Sequence, residues 1–568
     1  MSLVASLPQV GGKWIKGIKM SNNSSRLERL RNSFVFLGFG FSGAAALIYE
    51  VVWTRSLSTV MGSSTYAVST MLAAFMAGLS VGGALGAFLS PRIRRPYLAF
   101  AWCEFGIGFT GLLTIPMIMA ATPLYIKSFY AFHLSFKAFS AIQFAIIFSI
   151  MAAPTTLMGL TFPLVMKMFA SSGQDVGTQA GRLYCINTFG AIIGSTAAGF
   201  FLIPAIGIKG TAIVAASTNI LVAVTTLILS SSAKQSAAAL ILFLGMLPVS
   251  RFMSVENLPF FSYYNAFRFG NFEMADIVYQ SVKNSDTNKE LYRHEGIEGT
   301  VSLIKYSFAG HVGEASMGTA LVNGSKREAG DDLGFALLAY LPYFTHAGGP
   351  PATALSIGLG SGKTLNHLSQ FQLKRIDSVE LSEGIIDVNR QILSPSLFSD
   401  PRINHVQADG RNFLLVGNQR YDLIIASPSW AVEQASAGML TDEFFALAKS
   451  RLSPKGAFTV WIDFFLMSRS DLDIILRTFA KNFQHAMAWY VEGDFIILTG
   501  SNVSFRHPPG EYMQAVNYYN PALQGKWNIA MTEEMFSKIP PGPINTDDKP
   551  VVEFSNARNI ITWRESDS

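Results

Sequence analysis

Between residues 33 and 250 the chain almost lacks acids and turns apolar again and again, near 33–53, 65–90, 97–120, 138–170, 183–206, 210–230 and 236–250. Most of these runs reach the ~20 residues that a helix needs to cross a bilayer. The last run is short, and the fourth is long enough to kink at Pro154 or Pro163. The count predicts an α-helical transmembrane bundle of about seven spans. Charge supports the division: 14% of residues are charged, against about 25% in an ordinary soluble protein, while the segment after 251 has a soluble composition. The expected organisation is a basic cytoplasmic segment at 1–32, a transmembrane helical domain at 33–250, a linker and small β-rich region at 251–345, and a nucleotide-binding domain at 346–568.

Basic residues set the expected orientation. Lys13, Lys16, Lys19, Arg26, Arg29 and Arg31 precede the first run, Arg92, Arg94 and Arg95 follow the second, and Lys167, Arg182 and Lys234 lie at later turns of the same side. Alternate loops hold only Arg55, Lys127, Lys137 and Lys209, which is twelve against four. The N-terminus is therefore expected in the cytoplasm, and seven spans would put the C-terminal domain outside. Residues 1–32 have no apolar core, so no cleavable signal peptide is expected. The net charge of +5 is concentrated in the basic N-terminus, which suits anionic lipid headgroups, with no sign of nucleic-acid binding. Cys103 and Cys185 both fall in apolar runs, leaving no thiolate metal site in the aqueous half, and no metal is expected.

Within the apolar half, Gly78, Gly82 and Gly86 lie four apart, as do Gly190 and Gly194. Such faces let helices approach closely, either within one chain or across a homodimer. Glu50 and Glu104 should face protein or a cavity, since a carboxylate in lipid is costly. Glu50 has Arg55 nearby, and Glu104 lies deeper, where a buried hydrogen bond competes with a transport or binding role.

"ALSIGLGSGKTLNHL", residues 354–368, resembles a nucleoside-triphosphate loop in its closing Gly-Lys-Thr. That loop needs a glycine where Ile357 stands. What remains is Gly358-x-Gly360-x-Gly362 directly after a strand, followed by a helix, an arrangement that brings backbone up to a nucleoside. Glu380 ends a second strand about 20 residues further on, where an acid binds ribose hydroxyls. "INHVQADGRNFLL" supplies a third strand leading to Asp409-Gly410, "YDLIIASPSW" a fourth, and "LTDEFFALAKSRLSPKGAFTVWI" a helix and a fifth. Alternation of this kind predicts an α/β doubly wound sheet.

"IGLGSGKT", "VELSEGIIDVNR", "ADGRNFLL" and "YDLII" resemble the S-adenosylmethionine-type fold of the polyamine aminopropyltransferases, the spermidine synthases. "YEVVWTRSLSTVMGSSTYAVSTMLAAFMAGLSVGG", "LYCINTFGAIIGSTAAGFFLIPAIG" and "INTDDKPVVEF" are similar to multi-spanning bacterial members, in which a transporter-like membrane domain is fused to a spermidine synthase. The resemblance implies a small β region before the nucleotide fold, and residues 292–332, with their "NGS" turn, fit it. It also implies a protein of the bacterial inner membrane that binds S-adenosylmethionine or its decarboxylated form through Gly358, Gly360, Gly362, Glu380, Asp409 and Gly410, with Asp409 facing the adenine amino group. A polyamine acceptor and a homodimer or larger membrane complex are further expectations.

Aminopropyl transfer needs a carboxylate to take the amine's proton, and the resemblance implies an acid just after the fourth strand. This chain reads Ala426-Ser427-Pro428-Ser429 there. Ser427 marks the degenerate position, which predicts weak or absent activity and a possible pseudoenzyme. Asp332 and Glu433 are the candidates to supply a base from elsewhere, while Asp547-Asp548 is expected to cap a turn or pair with a cation. A different S-adenosylmethionine-dependent transferase such as a methyltransferase, an inactive accessory subunit, and polyamine transport or sensing are the competing functions.

Overall fold

The computed structural model describes residues 11–132, 135–170, 176–230, 233–246, 289–309, 315–323, 326–328, 332–428, 434–463, 467–492 and 495–562. They fall into two compact units: residues 1–56, 71–118 and 145–254 form the first, and 57–70, 119–144 and 255–568 the second.

The helical region comprises α1 (Gly11–Met61), α2 (Thr65–Leu89), α3 (Pro96–Phe132), α4 (Phe136–Ala170), α5 (Val176–Ala197), α6 (Ile203–Ser230) and α7 (Ala233–Met246). Among the described residues five helical stretches are long and apolar enough to cross a membrane: Glu28–Met61, Thr65–Arg92, Pro96–Ala131, Phe136–Phe169 and Val176–Ser230. The fifth contains two of the predicted spans and breaks between them at Gly207, whose φ of 73° and ψ of 173° are non-helical and essentially confined to glycine.

Side-chain contacts give the direction of each helix. Trp53 Nε1 donates to Thr114 Oγ1 at 2.6 Å, and Tyr97 OH bonds to Asn32, so α1 and α3 run parallel. Gly40 and Ala44 meet Gly190 and Gly194 in the same sense, so α5 is parallel to α1. Glu104 meets Asn219 while Gly108 meets Ala216, so α6 runs against α3. The chain therefore reverses at Gly207. The predicted seventh span corresponds to α7, whose 14 described residues extend about 21 Å at 1.5 Å per residue. That falls short of the ~30 Å hydrocarbon layer, so a count of seven is not met among the described residues.

Both glycine faces are used inside the chain. A Cβ at Gly82 would lie 2.0 Å from Thr156 O, and one at Gly190 would lie 1.9 Å from Gly40 O. Helices α2 and α4 on one side, and α5 and α1 on the other, thus touch backbone to backbone. Pro154 and Pro163 stay within the single helix α4, with the Pro163 ring against Gly86. Glu50 accepts from Thr54 Oγ1 at 3.4 Å.

The second unit carries two sheets. β1 (Lys289–Glu295), β2 (Thr300–Ala309), β3 (Ala315–Asn323) and β4 (Lys326–Glu328) form an antiparallel four-stranded sheet in sequence order. The larger sheet comprises β5 (Thr353–Ile357), β6 (Arg375–Glu380), β7 (Ile403–Gln407), β8 (Tyr421–Ala426), β9 (Leu452–Asp463), β10 (His485–Val491), β11 (Phe495–Ser501) and β12 (Trp527–Met531), ordered β12-β10-β11-β9-β8-β5-β6-β7. Strands β7, β6, β5, β8 and β9 are parallel, and β11, β10 and β12 add antiparallel pairs beyond β9. The central parallel strands β5 and β8 are buried along almost their whole length, as layers on both sides require. One layer includes α8 (Leu333–Thr345), whose Leu333, Leu337, Leu338 and Leu341 are buried in the same core as Leu423 and Ile425 of β8.

Candidate nucleoside and acceptor site

Strand order reverses between β5 and β8: β5 leads to β6 and β7 on one side, while β8 and β9 stand on the other. Ligands of open α/β sheets bind in the crevice that this reversal leaves at the carboxyl ends of the strands. The chain leaves β5 at Gly358, whose N–H donates to Val379 O at 2.9 Å, and leaves β8 at Ser427, whose N–H donates to Ile357 O at 3.1 Å. Ser427 lies beside the first glycine of the loop: a Cβ on Gly358 would stand 3.4 Å from Ser427 O.

All three loop glycines have positive φ, at 88° for Gly358, 51° for Gly360 and 79° for Gly362. This region favours glycine. At Gly362 space also forbids a side chain, because a Cβ would fall 2.5 Å from Asn389 Oδ1 and 2.8 Å from Ser394 Oγ. Asn389 Nδ2 donates to Gly360 O at 2.7 Å, fixing the loop from beneath. The loop then enters α9 (Lys363–Ser369).

Glu380, at the end of β6, is buried. Its two oxygens accept from Leu359 N at 2.8 Å and Ser382 N at 2.9 Å. The carboxylate of β6 therefore anchors the glycine loop through backbone N–H groups. Asp409 caps α10 (Gly410–Val416), accepting from Asn412 N at 2.7 Å. Gly410 is pressed onto the end of β5, where a Cβ would lie 2.2 Å from Ile357 Cγ2. The glycine triplet and Glu380 are thus in direct contact, and Asp409-Gly410 joins them through Ile357.

On the β8–β9 side stand residues that the sequence reading did not select. Ala426 pairs with Val460, so Trp461 follows one step beside Ser427. Its indole lies nearly parallel to the Phe335 ring, at 6.1 Å between centroids and 7° between planes, and its other neighbour, Phe495, is at 4.3 Å. Gly334 lets the indole settle onto α8, since a Cβ there would be 2.2 Å from Trp461 Cη2. Lys363 Nζ stands 5.3 Å over the Phe335 ring, within cation–π range. Trp461, one step beside Ser427 in register, thus packs with the Phe335 ring, over which the Lys363 ammonium stands.

The candidate bases divide. Asp332 bonds His367 Nε2 at 2.8 Å, and His367 Nδ1 meets Tyr340 OH at 2.9 Å. Burial pushes the Tyr340 phenol above its ordinary value, so it stays a donor, and an imidazole protonated at Nε2 satisfies both neighbours. Asp332 is thus engaged with His367 on the loop side. Glu433 lies outside the described residues. Asp547 pairs with Arg411 through both oxygens, and the Arg411 hydrogen bond holds its carboxyl below the usual range despite partial burial. Among the described residues no cluster of three or more His, Cys, Asp or Glu suits a metal ion.

Residues 336–492 match the spermine/spermidine synthase domain family. A polyamine aminopropyltransferase of Corynebacterium efficiens is 23% identical over 447 residues, covering 77% of this chain and 78% of its own length. Because that alignment is longer than residues 289–568, it reaches into the helical half. A second, from Klebsiella pneumoniae, is 27% identical over 206 residues, covering 33% of this chain and 71% of its own. The spermidine synthase structure from Thermotoga maritima is 18% identical, covers 45% of this chain and 85% of that one, and superposes with a TM-score of 0.33. Residues 336–492, in the C-terminal half, thus correspond to a spermine/spermidine synthase domain, and the chain has polyamine aminopropyltransferase homologues.

Proposed function

We propose that the C-terminal domain binds S-adenosylmethionine or its decarboxylated form at the β5–β8 crevice, and that transfer of an aminopropyl group to a polyamine is weak or lost. Gly358, Gly360 and Gly362 bring backbone to the nucleoside, Glu380 receives ribose hydroxyls, and Asp409 lies on the adenine side. The observation that carries the second clause is the company of Ser427. A polyamine is a multiple cation that must surrender one proton before its nitrogen can attack. A serine hydroxyl neither holds the cation by charge nor takes the proton at neutral pH, and general-base help contributes about 10²–10⁴-fold. Trp461 follows the residue that pairs with Ala426 and packs with the Phe335 ring, so this flank of β8 carries aromatic rings. That aromatic pair also favours a second reading, a transferase acting on a flat or apolar acceptor.

Binding is tested by calorimetric titration of the full-length protein with methylthioadenosine and S-adenosylmethionine. Saturable binding is expected, with loss in a folded Gly360→Val variant, where a β-branched residue meets both a positive φ and the ligand's space. Unchanged affinity in that variant would remove the loop from the site.

We further propose that the chain is an integral protein of a bacterial inner membrane, with its basic N-terminus in the cytoplasm and the C-terminal domain outside. The twelve-to-four balance of basic residues supports this. So do two contacts within the second unit: Thr65 Oγ1 bonds Glu553, and Tyr66 packs edge-on against Phe554. Thr65 and Tyr66 follow the first crossing, on the side opposite the N-terminus. An odd number of crossings is then required, and α7 would belong to the last one. Tyr518 is 91% exposed. With Cys103 and Cys185 replaced by serine, Tyr518→Cys is expected to react with an impermeant maleimide in intact cells. Reaction only after lysis would place the domain inside.

A further inference from the structure

The helical unit buries a carboxyl group whose protein partners do not balance it. Glu104 of α3 is fully buried, as is Asn219 of α6. Asn219 Nδ2 donates to Glu104 Oε2 at 2.7 Å, and the Ser42 hydroxyl of α1 also bonds the carboxyl group. Both partners are neutral. The other titratable groups that face Glu104 are Tyr49 of α1 and Cys103 of α3, neither of which supplies positive charge. Tyr49 directs its hydroxyl to Gly108 O at 3.5 Å. Two acceptors in this cluster, Glu104 Oε1 and Asn219 Oδ1, are buried and find no donor among the described residues.

A lone carboxylate here would leave both a charge and two oxygens unsatisfied, and each is costly away from water. A water molecule could serve the oxygens but would leave the charge. One monovalent cation answers both: a proton on Oε1 would make it a donor, and an alkali-metal ion would be held by the same oxygens. We propose that Glu104, Asn219 and Ser42 form a binding site for a single monovalent cation, a proton or an alkali-metal ion, inside the helical unit. Ionisable groups within apolar helical bundles mark ion pathways and proton relays, and this site joins three helices, α1, α3 and α6. It stands independently of the nucleoside reading.

The test is infrared absorption of the full-length protein in detergent micelles, as the difference between wild type and Glu104→Gln, with melting temperatures measured in sodium, potassium and choline chlorides at equal ionic strength. A protonated carboxyl group absorbs where a carboxylate does not. A carboxylic band present only in the wild type, falling about tenfold between about pH 5 and about pH 9, where buried glutamates titrate, identifies the proton as the bound cation. A band discharged by sodium or potassium but not choline, or a melting temperature raised selectively by one alkali ion in the wild type alone, identifies a metal ion. If Glu104→Gln does not fold, Asn219→Leu replaces it, because losing the second oxygen shifts the frequency of the band or abolishes the alkali effect. No carboxylic band at any pH together with no alkali selectivity overturns the proposal and leaves a water-solvated carboxylate.

Discussion

Asp422, at the start of β8, shows how one carboxylate holds the platform of the site. It accepts from Ala352 N at 2.9 Å, Thr353 N at 3.1 Å and Ser453 Oγ at 2.8 Å, tying the first residues of β5 and β9 to β8. Burial acts to raise its pKa, but the Ala352 N–H, the Ser453 hydroxyl and the Thr353 N–H outweigh burial, and the folded value lies below the ordinary one. The sign follows. Stability from this group is fully present above the unfolded carboxylate value of about 3.9 and is lost as pH falls through the lower folded value. Asp422→Asn is expected to cost about 1–3 kcal/mol at neutral pH, the usual penalty for buried donors left unmatched. It should also reduce the loss of stability on acidification. Thermal unfolding of both proteins at neutral pH and near pH 3 checks this, and an equal acid response in the two would show that Asp422 does not carry it.

At the scale of elements, the strands and the glycine loop were legible because their signals are local. "TALSI" and "YDLIIA" are short, mainly apolar runs, "RIDSVE" and "INHVQ" are short segments carrying Ile and Val, and each forms a parallel strand. Gly358, Gly360 and Gly362 stand out because positive φ at alternate positions admits little else. Three features were harder to read. The helix Leu333–Thr345 is a continuous apolar run containing Pro342, and without polar alternation its period is hidden. The break at Gly207 lies in "IPAIGIKG", where glycine in an apolar run signals either a packing face or a turn. The acceptor flank was illegible for another reason. Phe335, Lys363 and Trp461 come from three separate elements: the register of β8 against β9 sets Trp461 beside Ser427, and the docking of α8 brings the Phe335 ring, with Lys363 over it, to Trp461. The missing acid at Ser427 was visible in the sequence, whereas the Phe335–Trp461 pair required three dimensions.

At the scale of the whole molecule, the chain joins a helical unit, for which we propose a buried cation site, to a domain for which we propose a nucleoside site in the β5–β8 crevice, with no acid at Ser427. The two halves of that crevice respond to different demands. The glycine loop and Glu380 support each other through backbone hydrogen bonds, so the nucleoside side persists as part of the fold. On the proposed acceptor side, Ser427 joins the sheet through its backbone N–H to Ile357 O, a bond that any side chain but proline's leaves available. The most direct measurement quantifies methylthioadenosine, by mass spectrometry, formed by the full-length protein from decarboxylated S-adenosylmethionine and putrescine, beside a Ser427→Asp variant. The account predicts little or no product from the native protein, with any gain confined to the variant. Native turnover in the usual enzymatic range of about 1–10³ s⁻¹ would contradict it, and would mean that a carboxylate such as Glu433 supplies the base.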